Sequence, residues 1–199
     1  RAHLIVAIFF LSLPTFSQEL SEDYLLFPVN VEDMDEMDRE ILLEQLEIYH
    51  NADHDSIQLK ALSTISEEVY HRSWKNYNRL LQDRINQKLK ETLVDSEEYL
   101  YKKLMATALG DEGIGLRKIG KYEEALEVWE RGLNVSIEIN DSMGIAAGYN
   151  HFGIAYDIMG EPEKAIKNHK KSIAIKEKIN DKAGLCTSFN NLGYIYNIQ

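Results

Sequence analysis

The chain has 199 residues, 44% of them hydrophobic, with 33 acidic against 22 basic residues and a formal net charge of −11. That balance excludes a wholly disordered acidic tail, and it argues against a nucleic-acid backbone or an anionic membrane surface as the main partner, since both would be repelled. A single cysteine, Cys186, leaves no internal disulfide framework and reads as a small buried side chain.

The chain opens with Arg1 and His3, an apolar run from Leu4 to Leu13, and then Pro14-Thr15-Phe16-Ser17-Gln18. A basic start, a short apolar run and small residues before a polar one match a secretory signal peptide. The run falls short of the roughly 20 apolar residues that span a bilayer. Residues 1–17 are therefore expected to be removed, the rest exported, and no other part inserted in a membrane. Because the first residue is Arg rather than Met, a few upstream residues are expected to be missing. Residues 18–40, rich in Glu and Asp and containing Pro28, read as a weakly ordered acidic leader.

From residue 41 the pattern is helical. Ile41, Leu42, Leu46 and Tyr49 make one apolar stripe. Asn51-Ala52-Asp53 interrupts it, with Asp53 or Asp55 available as a cap. Ile57, Ala61, Leu62, Ile65 and Val69 line the next helix, and Trp74, Tyr77, Leu81, Ile85, Leu89 and Leu93 a long third one. Asp95-Ser96 reads as a break and a cap.

Beyond residue 95 the chain repeats itself every 40 residues. Asn140-Asp141 recurs as Asn180-Asp181, Gly144 as Gly184, Asn150 as Asn190 and Tyr156 as Tyr196. Gly113, Gly153 and Gly193 form a column, as do Gly120 and Gly160, and Ala125 and Ala165. First helices are expected over 97–119, 142–159 and 182–199, and second helices over 122–139 and 162–179. Gly120 and Gly160 would turn the chain within pairs, and Asn140-Asp141 and Asn180-Asp181 between them. Pro162 suits a first helical turn. No stretch alternates long enough for a sheet, so a stacked array of helix pairs is expected, with Gly113, Gly153 and Gly193 where helices come closest. Large residues such as Trp129, Phe152 and Phe189 would fill the spaces beside those glycines.

These residues resemble the tetratricopeptide repeat. Phe189, Leu192, Gly193 and Tyr196 carry the likeness best. Tyr149, Phe152, Gly153, Tyr156, Gly160 and Ala165 follow closely, and Leu109, Gly113, Leu116, Gly120, Tyr122, Ala125 and Trp129 more loosely. Leu62, Ile65, Ser66, Val69, Trp74, Tyr77 and Leu81 supply a degenerate upstream copy within residues 41–94. The resemblance implies an all-α, right-handed α-solenoid of antiparallel pairs. Its period is usually 34 residues, so second helices longer by over a turn are expected here. The longer spacing is similar to exported arrays of Gram-negative bacteria, which implies a periplasmic location. In that group the repeats are often followed by a membrane span and a histidine kinase, cyclase or DNA-binding output. The chain would then be a fragment whose repeats, residues 95–199, are truncated in the third pair, with Leu192, Ile195 and Ile198 uncovered.

By that resemblance the first helices line a groove for a protein or peptide. Carried over by position, the groove holds Thr107, Gly110, Ile114 and Arg117. The second pair adds Ala147, Asn150, Ile154 and Asp157, and the third Thr187, Asn190, Tyr194 and Asn197. Asn costs about 0.5 kcal/mol against Ala in a helix, so Asn150 and Asn190 are expected to use their amides. They would bond either to a peptide backbone or between neighbouring helices. The runner-up role is the sensor region of a transmembrane signalling protein using the same groove.

Other signals point to no chemistry. Gly110-Asp111-Glu112-Gly113-Ile114-Gly115 lies inside an expected helix after no strand, unlike a nucleotide loop. His50 and His54 straddle a turn with no further ligand in sequence reach, so a solvated turn is expected rather than a metal site. Adjacent acids such as Glu67-Glu68 point in different directions and read as solvated. Neither a cofactor nor an enzymatic activity is expected.

Overall fold

The computed structural model describes residues 22–69 and 71–198, and among these there are helices and no strand. The leader 1–17 lies outside the described residues. After a short α1 (Glu22–Leu25) and a 3-10 turn (Val31–Asp33) come α2 (Glu36–Asn51), α3 (Asp55–Glu68), α4 (Trp74–Lys88) and α5 (Asp95–Lys118). Then follow α6 (Tyr122–Glu138), α7 (Ser142–Ile158), α8 (Pro162–Lys178) and α9 (Lys182–Ile198). Each helix from α2 onward packs on the next, and α3, α5, α7 and α9 also touch in succession. The result is an all-α solenoid of antiparallel pairs in which α3 and α4 meet α5 as α5 and α6 meet α7.

Four turns set the spacing of α5 to α9, and all four use one device. The helix ends at Ile119, Ile139, Met159 or Ile179, and the next residue, Gly120, Asn140, Gly160 or Asn180, has φ between 55° and 79°. That residue's N–H donates to Arg117, Ile137, Asp157 or Glu177, and the following N–H reaches back to Leu116, Ser136, Tyr156 or Lys176. This paired bonding satisfies carbonyls the helix leaves open, and it needs a left-handed residue, which Gly and Asn tolerate best. The residue after Asn then starts the next helix. Asp141 accepts from Met143 N, and Asp181 from Gly184 N at 2.9 Å.

Helices α6 to α9 are each 17 residues long. The extra length expected of second helices alone is therefore shared by both members of a pair. Leader residues expected to be weakly ordered are packed instead. Leu25 and Met34 are buried with Leu42, Leu46, Leu62, Ile65, Leu81 and Ile85, and the Tyr77 hydroxyl donates to the Leu25 carbonyl. His50 is exposed in the last turn of α2, where it touches the leader. Its Nε2 donates to the Tyr24 carbonyl at 2.8 Å, and its ring stacks on Tyr24.

The glycine columns work differently from the expected close approach of two backbones. Trp129 lies flat on Gly113 and His169 on Gly153, and a Cβ at either glycine would overlap the ring. The Trp129 Nε1–H donates to the Gly110 carbonyl at 3.0 Å, fixing the indole against α5. The close backbone contact is made by Gly132, whose added Cβ would sit 3.3 Å from the Ala106 carbonyl oxygen. Gly193 has open space beside it, Phe189 is exposed, and Ile195, expected to be uncovered, is buried. Cys186 is exposed rather than buried, since α9 is packed on α7 and α8 from one side only.

Because Gly160 carries a left-handed turn with open space around it, Gly160→Ala should cost about 1–2 kcal/mol through backbone strain alone. Asn180→Gly should be near neutral. Urea-unfolding midpoints of the two variants measure both, and equal midpoints would contradict the turn assignment.

Candidate functional site

The face formed by α3, α5 and α7 is built from small residues. Ala106 and Gly110 on α5, Gly132 on α6, and Gly144, Ala147 and Gly148 on α7 leave a cleft of about 270 Å³ between α5 and α7. Larger side chains at these positions would have closed it, because packed helices otherwise interdigitate without voids. Trp129 and His151 line the same cleft, stacked with ring centroids 5.0 Å apart and planes 10° from parallel. A second cleft of about 330 Å³ adjoins it, sharing Glu67, Asp111 and Ile114. Together they form a trough along the first-helix face.

Polar groups at the trough are perturbed in opposite directions. Burial, reinforced by the negative charge of Glu67, pushes the Asp111 carboxyl up to about 7, against a weaker pull from the Ser66 hydroxyl that donates to it at 3.2 Å. Burial, with the positive charges of Arg117 and Lys176 adding to it, holds the His151 imidazole down at about 4, so the ring on Trp129 is neutral at pH 7. Behind Asp111 runs a chain of hydrogen bonds. The Asn78 amide donates to Ser66 Oγ at 2.7 Å and to the Ala108 carbonyl at 2.9 Å, and Gln82 donates to Asn78 and to Glu112. This network ties α3 and α4 to α5 and holds Asp111 in place.

Of the residues carried over by position, Thr107, Gly110, Ile114 and Ala147 line the cleft. Arg117 and Asp157 are half-buried on α5 and α7. Their charges act on His151 and His169 respectively. Asn150 is buried, and its Oδ1 accepts from Ser188 Oγ and Asn191 Nδ2, each at 3.4 Å. Its amide oxygen is spent between helices, which is the second of the two uses weighed above. Thr187, Asn190, Tyr194 and Asn197 are exposed on α9, away from the cleft. Glu67, Asp111 and His151 were not among the residues carried over by position. Asp111, His151 and Asn191 occupy one column of the 40-residue alignment, all polar and all half-buried, and that periodic polarity was the available signal.

The second interface is built from other chemistry. Where α6 has Trp129, Gly132 and Ser136, α8 has His169, Ser172 and Lys176. Ser172 donates to the Ala146 carbonyl at 2.7 Å, and Lys176 donates to the Gly184 carbonyl at 3.1 Å and to Ser188 Oγ at 2.9 Å. No carboxylate among the described residues forms a salt bridge with the Lys176 ammonium. Burial lowers its pKa against the opposing pull of Asp181. The buried His169 Nδ1 has no hydrogen-bond partner, and burial lowers that pKa too.

Residues 104–178, spanning most of α5 through α8, match the family model described as tetratricopeptide repeat. That stretch carries tetratricopeptide repeats, an architecture that generally serves interaction between proteins. No curated protein matches the chain. None of the helices among the described residues is long and apolar enough to cross a membrane.

The raised Asp111 pKa sets the sign of a pH effect. The folded chain holds this proton more tightly than the unfolded one, whose carboxyl stays near its ordinary value of 3.8. The stability tied to Asp111 is therefore full below pH 4 and lost as the pH climbs to about 7. Asp111→Asn cannot ionise, so its melting temperature should gain on the parent's by ~3 °C or more between pH 4 and pH 8. Thermal melts of both proteins at the two pH values check this, and a difference that does not change with pH would sink it.

Proposed function

We propose that this chain is an exported protein-interaction module that holds an extended peptide segment of a partner along the face of α3, α5 and α7. The carrying observation is the cleft of about 270 Å³ between α5 and α7, kept open by glycine and alanine where neighbouring helices would otherwise interlock. A surface of this shape suits a segment that threads past several helices, with a side chain dropped toward the Trp129–His151 stack. Thr107 and Asp111 supply polar groups for orientation, and Ile114 and Ala147 supply apolar contact. The tetratricopeptide match over residues 104–178 supports the same reading at the coarser level of protein interaction. Export rests on the pattern of residues 1–17, and the periplasmic compartment on the likeness of the 40-residue spacing to exported arrays.

Ala147 is exposed and lines the cleft, so Ala147→Trp should fill the space without disturbing the core and weaken peptide binding by about tenfold or more. A photo-crosslinking residue at Thr107 should label the bound segment, while one at exposed Glu127 on α6 should not. Labelling at Glu127 alone would move the site off this face. Fusing residues 1–20 to a phosphatase active only outside the cytoplasm should give an active enzyme, and an inactive fusion would remove the export claim.

A further inference from the structure

Acidic side chains line the trough where its two clefts adjoin. Some carboxylates of the described surface sit beside lysines: Lys88 bridges Asp55 and Glu91, and Lys102 bridges Glu98 and Glu138. Glu67 and Asp111 both line the two clefts where these adjoin, and among the described residues neither forms a salt bridge. Burial and the charge of Glu67 raise the Asp111 pKa to about 7, the reverse of what a resident cation would do. Lys118 lines the second cleft and has an interaction of its own. Beside the two acids, Ile114, Ala147 and the Trp129 ring give apolar surface, and Thr107, Ser136, Asp141 and His151 add polar groups.

We propose that this trough reads a lysine or arginine side chain of the bound peptide, its cation placed between Glu67 and Asp111 and its methylene stem laid along Ile114 and Ala147. The inference rests on the groove-binding reading above and deepens it by naming the chemistry of the partner. A basic side chain fits both halves of the site, because its stem covers apolar surface while its head meets carboxylate. The acidic balance of the chain works in the same direction at long range.

The test uses labelled peptides of equal length, neutral except at one central position that holds lysine, arginine, norleucine or glutamate. Affinities are read by fluorescence anisotropy against the parent, Glu67→Gln, Asp111→Asn, Glu67→Lys, Glu127→Gln and Ala147→Trp, with circular dichroism to show that each is folded. The lysine and arginine peptides should bind the parent about tenfold tighter than the norleucine peptide. Glu67→Gln and Asp111→Asn should each remove most of that preference, Glu127→Gln none of it, and Glu67→Lys should turn it toward glutamate. The proposal is overturned if basic and norleucine peptides bind alike, or if Glu127→Gln erodes the preference as much as Glu67→Gln, which is diffuse attraction. Free cadaverine displacing the lysine peptide at equal affinity would also overturn it, by assigning the cleft to a small amine. Loss of all peptide binding in Ala147→Trp without any basic preference in the parent keeps the groove and discards its specificity. Full binding of the basic peptide to Ala147→Trp discards the groove itself.

Discussion

A chain that must reverse direction in three residues, four times, has almost no freedom left in where its helices start. The left-handed residue at Gly120, Asn140, Gly160 and Asn180 is the constraint that imposes this. With the two reach-back hydrogen bonds made at each turn, the exit of one helix and the entry of the next are fixed together. Register follows, so Trp129 falls on Gly113 and His169 on Gly153. Register also brings Gly132 against Ala106 and Gly148 against Leu133, and those small residues keep the cleft open. The cleft is thus a downstream product of backbone geometry at positions far from it in sequence.

Once the register is set, side chains at equivalent positions are free to differ, and they do. Between α5 and α6 the joint is made of an indole and a glycine, whereas α8 meets α7 through an imidazole and a serine and meets α9 through a lysine. A buried ammonium bound only to a carbonyl and a hydroxyl is costly to desolvate, which is why burial lowers its pKa. Two joints with one backbone geometry therefore differ in how they are held. One is closed by shape and one by directed hydrogen bonds.

The helical array and its turns could be read from the sequence because they depend on local rules. The expected helices over 122–139, 142–159 and 162–179 end within one residue of α6, α7 and α8. What could not be read depends on neighbours. Asn150 and Asn190 are equivalent in the repeat, yet Asn150 is buried against α9 while Asn190 is exposed. Glu67 and Asp111 meet only because α3 packs on α5, and the sequence showed Glu67 merely as one of two adjacent acids. The leader misled by its average composition. Its acids stay out while Leu25 and Met34 enter the core, and burial is decided residue by residue.

The unlike joints also bear on mechanics. An indole seated over Gly113 and hydrogen-bonded to Gly110 must leave its slot before α5 and α6 can shear. Lys176, by contrast, can exchange one oxygen for another as α9 slides, since a flexible ammonium imposes little geometry on its acceptors. Tension applied along the solenoid would accordingly be borne rigidly between α5 and α6 and taken up as travel between α8 and α9.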